Sequence, residues 1–236
     1  MHLFYQPSAS QQTLEGEEAR HCAKVLRLGV GDLIWVTDGK GKLFKASLTQ
    51  VKEKEVKYLI LESIEVPARS NRISMAIGPT RKAERNEWMV EKMTELGVDE
   101  IQFLFTEHIH HESIRRVLNP ERLERIALSA MKQSQQVVKP FISLHRDFKE
   151  FLAGCKQNNK FIAYVTDTDV PEHLVKQVQK GEDTLVLIGP EGDFSPQEIE
   201  LALSLGFKPV SLGTTRLRTE TAAVMACHAV HLAQLI

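Results

Sequence analysis

Long apolar runs are missing from this chain of 236 residues, and no stretch approaches the ~20 residues that a membrane helix needs. No basic-then-apolar leader opens it, so the expected setting is cytoplasmic, with no membrane partner. Cysteine is scarce. Cys22, Cys155 and Cys227 are odd in number, scattered and without metal-ligand spacing, which excludes a disulfide framework and fits reduced intracellular thiols. Neither sign of charge dominates: 30 Lys and Arg against 31 Asp and Glu leave a formal net charge of −1. Any nucleic-acid contact must therefore come from local patches rather than from the whole molecule. Internal repeats and low-complexity tracts are absent as well. What remains is 42% hydrophobic and 26% charged residues, enough for one large domain or a small one beside a medium one.

The first 66 residues read mostly as strand. Leu33 to Leu48 forms two β-runs around an Asp38-Gly39 turn, a hairpin signal, and Glu55 to Val66 is a third run. Before them, EEARHCAKVLRLG predicts an amphipathic helix with Ala19, Cys22, Val25 and Leu26 on one face. A small barrel-like β domain over residues 1–68 fits this pattern. The stretch Val66 to Asn71, with proline and no periodicity, reads as a linker. From residue 72 to 236 strands and helices alternate. ISMAIGP, IQFLF, FIAYV, TLVLIG and Phe207 to Leu212 are the strands. The helices are ERNEWMVEKMTELG, with Met89, Met93 and Leu96 at i, i+4, i+7, and PERLERIALSAMKQS. Continuous apolar strands between helices predict an α/β domain with a parallel sheet covered on both faces.

Two small-residue turns near the C-terminus concentrate the chemistry. In TLVLIGPEGDFSPQEIE, Ser195, Pro196 and Glu198 spell a helix start: N-cap, proline at N1 and a capping-box acid at N3. Gly189, Pro190, Glu191 and Gly192 lie between a buried strand and that helix, where glycine lets backbone approach a ligand. Neither a Gly-Lys-Ser/Thr loop nor GxGxxG is present, which disfavours phosphate and dinucleotide binding. The second turn, VSLGTTRLRTETAA, crowds Arg216, Arg218 and Glu220 between a strand end and an apolar helix. Thr219 or Thr221 can cap that helix. Arg216 reads as a solvated loop residue. Arg218, beside Glu220 at the mouth of a sheet, can stabilise negative charge developing on a substrate.

With these residues the chain resembles the SPOUT class of methyltransferases, and within it the RsmE-type family that methylates uridine N3 in small-subunit (16S) ribosomal RNA. The likeness is carried by LIGPEGDFSPQEIE, LGTTRLRTETA, KAERNEWMVEKMTELGVDEI, KQS followed by Pro140, and HCAKVLRLGVGD, in order along essentially the whole chain. The resemblance implies an N-terminal PUA-like β-barrel for RNA binding (1–68). It also implies a C-terminal SPOUT α/β domain (72–236) whose last segment is threaded as a trefoil knot. It further implies a homodimer using S-adenosylmethionine and no metal. By match, Thr166, Ile188, Gly189, Gly192, Leu212, Gly213, Leu217 and Arg218 surround the cofactor. Two departures stand out: Asp193 where the family usually has glycine, and QQVVKP after KQS where it usually has an arginine.

The implied chemistry assigns Arg218 to favour the uracil anion from O2 or O4, and Glu220 to orient that arginine or to take up the N3 proton. The base must be unpaired or flipped to expose N3. Arg20, Lys24, Arg27, Lys82 and Arg85, with Arg69, Arg72 and Arg81, are the candidate phosphate contacts on the ribosomal RNA or assembled small subunit. Lys92 and Glu95, at i, i+3, can pair with each other instead. His108, His110 and His111 with Glu112 resemble a metal cluster but lack a further ligand, so a polar surface loop or an RNA-facing segment is the preferred reading. His228 and His231 read as satisfied or partly exposed, and Trp88 as helix packing. Two other functions stay open from sequence: a non-catalytic RNA-binding or ribosome assembly factor on the same fold, and a knotted methyltransferase acting on another RNA.

Overall fold

A computed structural model describes residues 2–109, 114, 116–164, 166 and 170–236. The chain forms two compact units, residues 1–68 with 128–139, and residues 69–127 with 140–236. Residues 128–139, which sequence alone leaves in the C-terminal domain, thus belong with the first 68.

The N-terminal unit is a five-stranded sheet in the order β1-β3-β4-β5-β2. Its strands are β1 (Leu3–Tyr5), β2 (Thr13–Glu15), β3 (Leu33–Thr37), β4 (Lys42–Val51) and β5 (Glu55–Glu65). Alternation drives Val56 and Tyr58 inward and leaves Leu59 and Leu61 outward. Phe4 on one edge strand and Leu14 on the other join Ile34, Val36 and Leu48 in a single core, so the sheet curls around its contents. The expected hairpin is present: Asp38 Oδ1 accepts from the N–H groups of Lys40 (2.8 Å) and Lys42 (3.1 Å), which closes the loop between β3 and β4. Residues 128–139 are tied to that loop. The Gly41 N–H donates to Val137 O (3.1 Å), and the Lys139 N–H to Gly39 O (2.9 Å). Lys132 also pairs with Glu18.

The predicted first helix is only partly right. Helix α1 (Gly16–Arg20) passes into a π-helical turn over His21–Val25, with the Leu26 N–H donating to His21 O at 2.9 Å. The wider turn shifts the angular phase of the residues beyond it. Ala19 and Cys22 stay buried, whereas Val25 swings out to 65% exposure.

The C-terminal unit alternates strand and helix: β6 (Ile73–Ile77), α2 (Ala83–Glu95), β7 (Glu100–Leu104), α3 (Pro120–Gln133, its last turns in the other unit), β8 (Phe141–His145), α4 (Phe148–Gly154), β9 (Asn159–Ala163), α5 (Leu174–Gln177), β10 (Thr184–Ile188), α6 (Pro196–Ser204), β11 (Lys208–Val210) and α7 (Thr219–Leu235). Every strand pairing is parallel, in the order β11-β9-β10-β6-β7-β8. Successive side chains feed opposite cores. Met75, Ile77, Val186 and Ile188 meet Met89 and Met93 of α2 and Ala223 and Cys227 of α7 on one face. Ala76, Leu185 and Leu187 meet Phe148 and Leu152 of α4 and Ala202 of α6 on the other. Two-sided burial is why β6 and β10 read as nearly continuous apolar runs, broken only by the buried Ser74 and Thr184. Edge strand β8 has no such run, since Phe141 is 65% exposed, and sequence reasoning missed it. The chain builds outward from β6 through β7 to β8, then resumes on the other side with β9, β10 and β11. A crevice opens at the C-terminal ends of β9, β10 and β11, the edge at which parallel α/β sheets bind ligands.

Candidate active site

The crevice is a cavity of about 850 Å³ in the C-terminal unit. Thr166, Ile188, Gly189, Gly192, Leu212, Gly213, Leu217 and Arg218 all line it. They arrive from the ends of β9 and β10 and from the turn between β11 and α7. Tyr164, Val170 and Pro171 line it too; no motif singled them out, and only their place just beyond β9 could have done so.

The β10 loop is shaped by its own packing. A Cβ on Gly189 would stand 2.8 Å from Asp193 Oδ1 and 3.1 Å from Asp193 Cα, and one on Gly192 would stand 3.2 Å from His108 Cβ. A side chain at Gly189 would press on the Asp193 backbone and one at Gly192 on His108, so glycine lets the loop fold back on itself and onto the β7 loop, whatever occupies the crevice. Asp193 has φ 59°, a left-handed conformation that aspartate tolerates better than most residues. Its carboxylate accepts from the Phe194 N–H at 2.8 Å. An aspartate can thus stand where the family usually has glycine. Gly213 differs: its φ is 134°, and a Cβ would meet nothing within 4 Å, so backbone lies open to the cavity at that point.

Carboxylates stitch the neighbouring loops together. Glu191 accepts the Arg81 N–H on both oxygens (3.1 and 3.2 Å), which joins the β10 loop to the β6 loop. Gly78 in that β6 loop lies so close that a Cβ would come within 2.5 Å of Pro190 Cδ. The expected capping box of α6 is present: Ser195 Oγ accepts from Glu198 N, and Glu198 Oε2 accepts from Ser195 N at 2.9 Å. Glu198 does more than cap, because its Oε1 accepts the Glu107 N–H from the β7 loop at 2.8 Å. His108 Nδ1 lies 3.1 Å from Asp193 O, an acceptor, which places the ring proton on Nδ1.

Helix α7 begins at Thr219 with Arg218 at its N-cap, so neither threonine caps it. Arg218 is exposed at the cavity. Glu220 is buried and pairs with Arg85, whose Nε lies 3.5 Å from Glu220 Oε1, rather than with Arg218 as sequence proximity suggested. Arg85, expected on RNA phosphate, lines the cavity.

The other candidates scatter. Arg20 and Lys24 share Glu53 (3.8 and 3.2 Å) on the exposed surface of the N-terminal unit, and Arg27 is exposed with φ 53°. Lys82 is exposed at the N-cap of α2. Arg69 is engaged within the C-terminal unit by Asp99 and Gly97 O, both at 2.6 Å, and Arg72 lies 3.9 Å from Glu100. Lys92 bridges Glu95 (2.9 Å) and Glu91 (2.6 Å). Trp88 is 41% exposed and does not pack into the core of its own chain. His228 is exposed. Burial, then Arg69, pushes the His231 pKa down to about 4. His110, His111 and Glu112 lie outside the described residues. Among the described residues no group of three or more His, Cys, Asp or Glu is disposed to hold a metal ion, and no helix is long and apolar enough to cross a membrane.

Comparison with known proteins adds to this geometry. Residues 67–231 match the family model of the RNA methyltransferase domain, and residues 14–61 that of the RNA methyltransferase PUA domain. The ribosomal RNA small subunit methyltransferase E of Synechocystis sp. is 30% identical over 234 residues, covering 91% of this chain and 70% of that protein. The crystal structure of a probable rRNA-methyltransferase from Porphyromonas gingivalis superposes with a TM-score of 0.91 at 42% identity, covering 100% of this chain and 99% of that one. A ribosomal RNA small subunit methyltransferase E from Neisseria gonorrhoeae, bound to S-adenosyl methionine, superposes with a TM-score of 0.84 at 27% identity, over 98% and 97% of the two chains.

Proposed function

Because the chain belongs to the RNA methyltransferase family, in the branch of the ribosomal RNA small subunit methyltransferases E, we propose that it methylates 16S ribosomal RNA from S-adenosylmethionine, at uridine N3. The observation that carries this reading is the single cavity that gathers the β9, β10 and β11 loops around the motif residues. Its volume of about 850 Å³ falls among small-molecule sites, which span roughly 300–1,000 Å³. Ile188, Leu212, Leu217 and Ala222 offer apolar wall, and Gly213 offers open backbone. An adenosine with a charged amino-acid tail calls for that mixture. When bound, the cofactor supplies an electrophilic methyl group.

The chain's own residues do the rest. Ile188, Leu212, Gly213 and Leu217 hold the adenosine and exclude water from it. Arg218, exposed at the cavity and fixed at the start of α7, faces a uracil carbonyl and favours the base with its N3 proton removed. The uridine must leave its pairing partner for N3 to be reached. Arg20, Lys24 and Arg27 in the N-terminal unit, with Lys82 in the other, contact phosphates. Support for a homodimer comes from Trp88 on α2 and from Met225, Leu232 and Leu235 on α7: apolar, exposed, and carried by two helices that pack together. The family's trefoil knot belongs to the same reading. After β11 at one edge of the sheet, the chain returns to lay α7 over β6 and β10 near its middle.

Small subunits from a strain lacking the enzyme, incubated with the protein and methyl-labelled cofactor, test the proposal. Label on uridine N3 is the expected result. Absence of label, or label on another base or position, overturns it.

A further inference from the structure

At the edge of the cavity a pair of side chains keeps hydrogen-bonding capacity that no other described residue uses. Glu220 is 8% exposed; Oε1 lies 3.5 Å from Arg85 Nε, and the buried Oε2 has no hydrogen-bond partner among the described residues. A buried carboxylate with an idle oxygen is destabilising, so it tends to be kept only where it has work. Arg85 is its counterpart. The single long contact through Nε leaves the terminal nitrogens of a side chain that is only 28% exposed, and that side chain lines the cavity.

The backbone of Arg85 is held firmly. Asn86, fully buried, accepts the Thr80 N–H on Oδ1 (2.8 Å), and its Nδ2 donates to Thr80 O (3.1 Å) and Val117 O (3.3 Å), which fixes the first turn of α2. The Arg81 N–H is held by Glu191 of the β10 loop. Arg85 is thus referenced to the same loops that form the cavity. A phosphate contact calls for an arginine that reaches outward into solvent. A half-buried guanidinium, tethered from behind by a carboxylate and open at its far end, suits a flat ligand with carbonyl acceptors.

We propose that Arg85 is a second base-facing arginine of the transfer site, donating to a carbonyl oxygen of the target uracil, and that Glu220 is the positioning residue that aims it. This rests on the functional reading above and moves Arg85 from the RNA backbone to the base. When the base ionises, the N3–H bond breaks and the proton leaves to solvent water. The electron pair stays on the ring, spread over N3 and both carbonyl oxygens. A guanidinium on one of those oxygens stabilises the anion, and Arg218 on the other divides the task.

The test compares the full-length wild type with Arg85→Gln, Arg85→Lys and Glu220→Gln in single-turnover methylation of small subunits between pH 6.5 and 9.5. Binding of S-adenosylhomocysteine by calorimetry, RNA affinity against salt, and thermal melting are measured in parallel. Arg85→Gln is expected to slow transfer about 100-fold at neutral pH, as loss of one preorganised donor does, with the deficit narrowing as alkali supplies the anion. Arg85→Lys should recover part of the rate. Glu220→Gln should show a smaller loss with the same pH trend, and S-adenosylhomocysteine affinity should change less than twofold. A full rate in Arg85→Gln, a loss independent of pH, or weakened S-adenosylhomocysteine binding overturns the proposal. So does reduced RNA affinity with a salt slope smaller by about 1, the mark of a phosphate contact. A wild-type protein that transfers no methyl overturns the functional reading instead.

Discussion

Glu198 offers a quantitative test of how the rim of the cavity is held. Both of its carboxylate oxygens accept backbone N–H groups, from Glu107 at 2.8 Å and from Ser195 at 2.9 Å, in a side chain that is nearly buried. A hydrogen bond to a charged group contributes about 1.5–3 kcal/mol, and water recovers part of the loss when one is removed. Glu198→Ala should therefore cost about 3 kcal/mol. Ser195→Ala removes one long capping bond of 3.3 Å and should cost about 1 kcal/mol. Glutamine separates the roles further. It has one acceptor where glutamate has two, so its amide NH2 must face a backbone N–H, and Glu198→Gln should still cost about 2 kcal/mol. In calorimetry of the full chain, about 3 kcal/mol lowers the melting temperature of the C-terminal unit by roughly 6–12 °C. S-adenosylhomocysteine affinity should fall alongside, because the loosened loop carries Gly189 and Gly192. A Glu198→Gln variant within about 0.5 kcal/mol of wild type, or Ser195→Ala as damaging as Glu198→Ala, would refute the two-loop clamp.

Gly78→Ala would place a Cβ 2.5 Å from Pro190 Cδ and 2.7 Å from its nitrogen, so we expect about 1–3 kcal/mol of destabilisation by urea titration and weaker S-adenosylhomocysteine binding; wild-type behaviour would show that the two loops can part freely. His231 has its pKa lowered from 6.5 to about 4, by burial first and then by Arg69, so the unfolded chain takes up the proton before the folded one does. The associated stability is complete above about pH 6.5 and is lost as pH falls toward 4, by at most about 3 kcal/mol for a half-buried ring. His231→Gln should flatten that part of the curve, and an unchanged pH profile would remove His231 from it.

What could be read from sequence, and what could not, follows from how far apart the interacting residues lie. Ser195, Pro196 and Glu198 sit within one turn and announce their helix by spacing alone. Ile188, Gly189, Leu212 and Gly213 could be placed together because each ends or follows an apolar strand of one parallel sheet. The Glu198–Glu107 contact spans 91 residues and the Glu191–Arg81 contact spans 110, so no local pattern records either. Closeness in the chain pairs Glu220 with Arg218. The α7 N-terminus sends them apart, and Arg85, from a helix far earlier, takes the place beside Glu220. Strand β8 escaped notice because an edge strand need not be apolar on both faces. A period of 3.6 residues per turn places Val25 on the buried side, and the π-helical turn breaks that period.

The carboxylate stitches of Glu191 and Glu198 have a consequence for anyone who would rebuild this protein. Loops that merely hang from a scaffold can be lengthened or exchanged one at a time. Here Glu191 in the β10 loop holds the main-chain N–H of Arg81 in one neighbour, Glu198 in the first turn of α6 holds that of Glu107 in another, and His108 from the second reaches back to Asp193. Grafting a foreign β10 loop together with the first turn of α6, without Glu191 and Glu198, would strand two donors on segments that had not been altered. The three loops are therefore a single transplantable module, and a library that randomises one of them should carry the partner segments 78–82 and 106–109 with it.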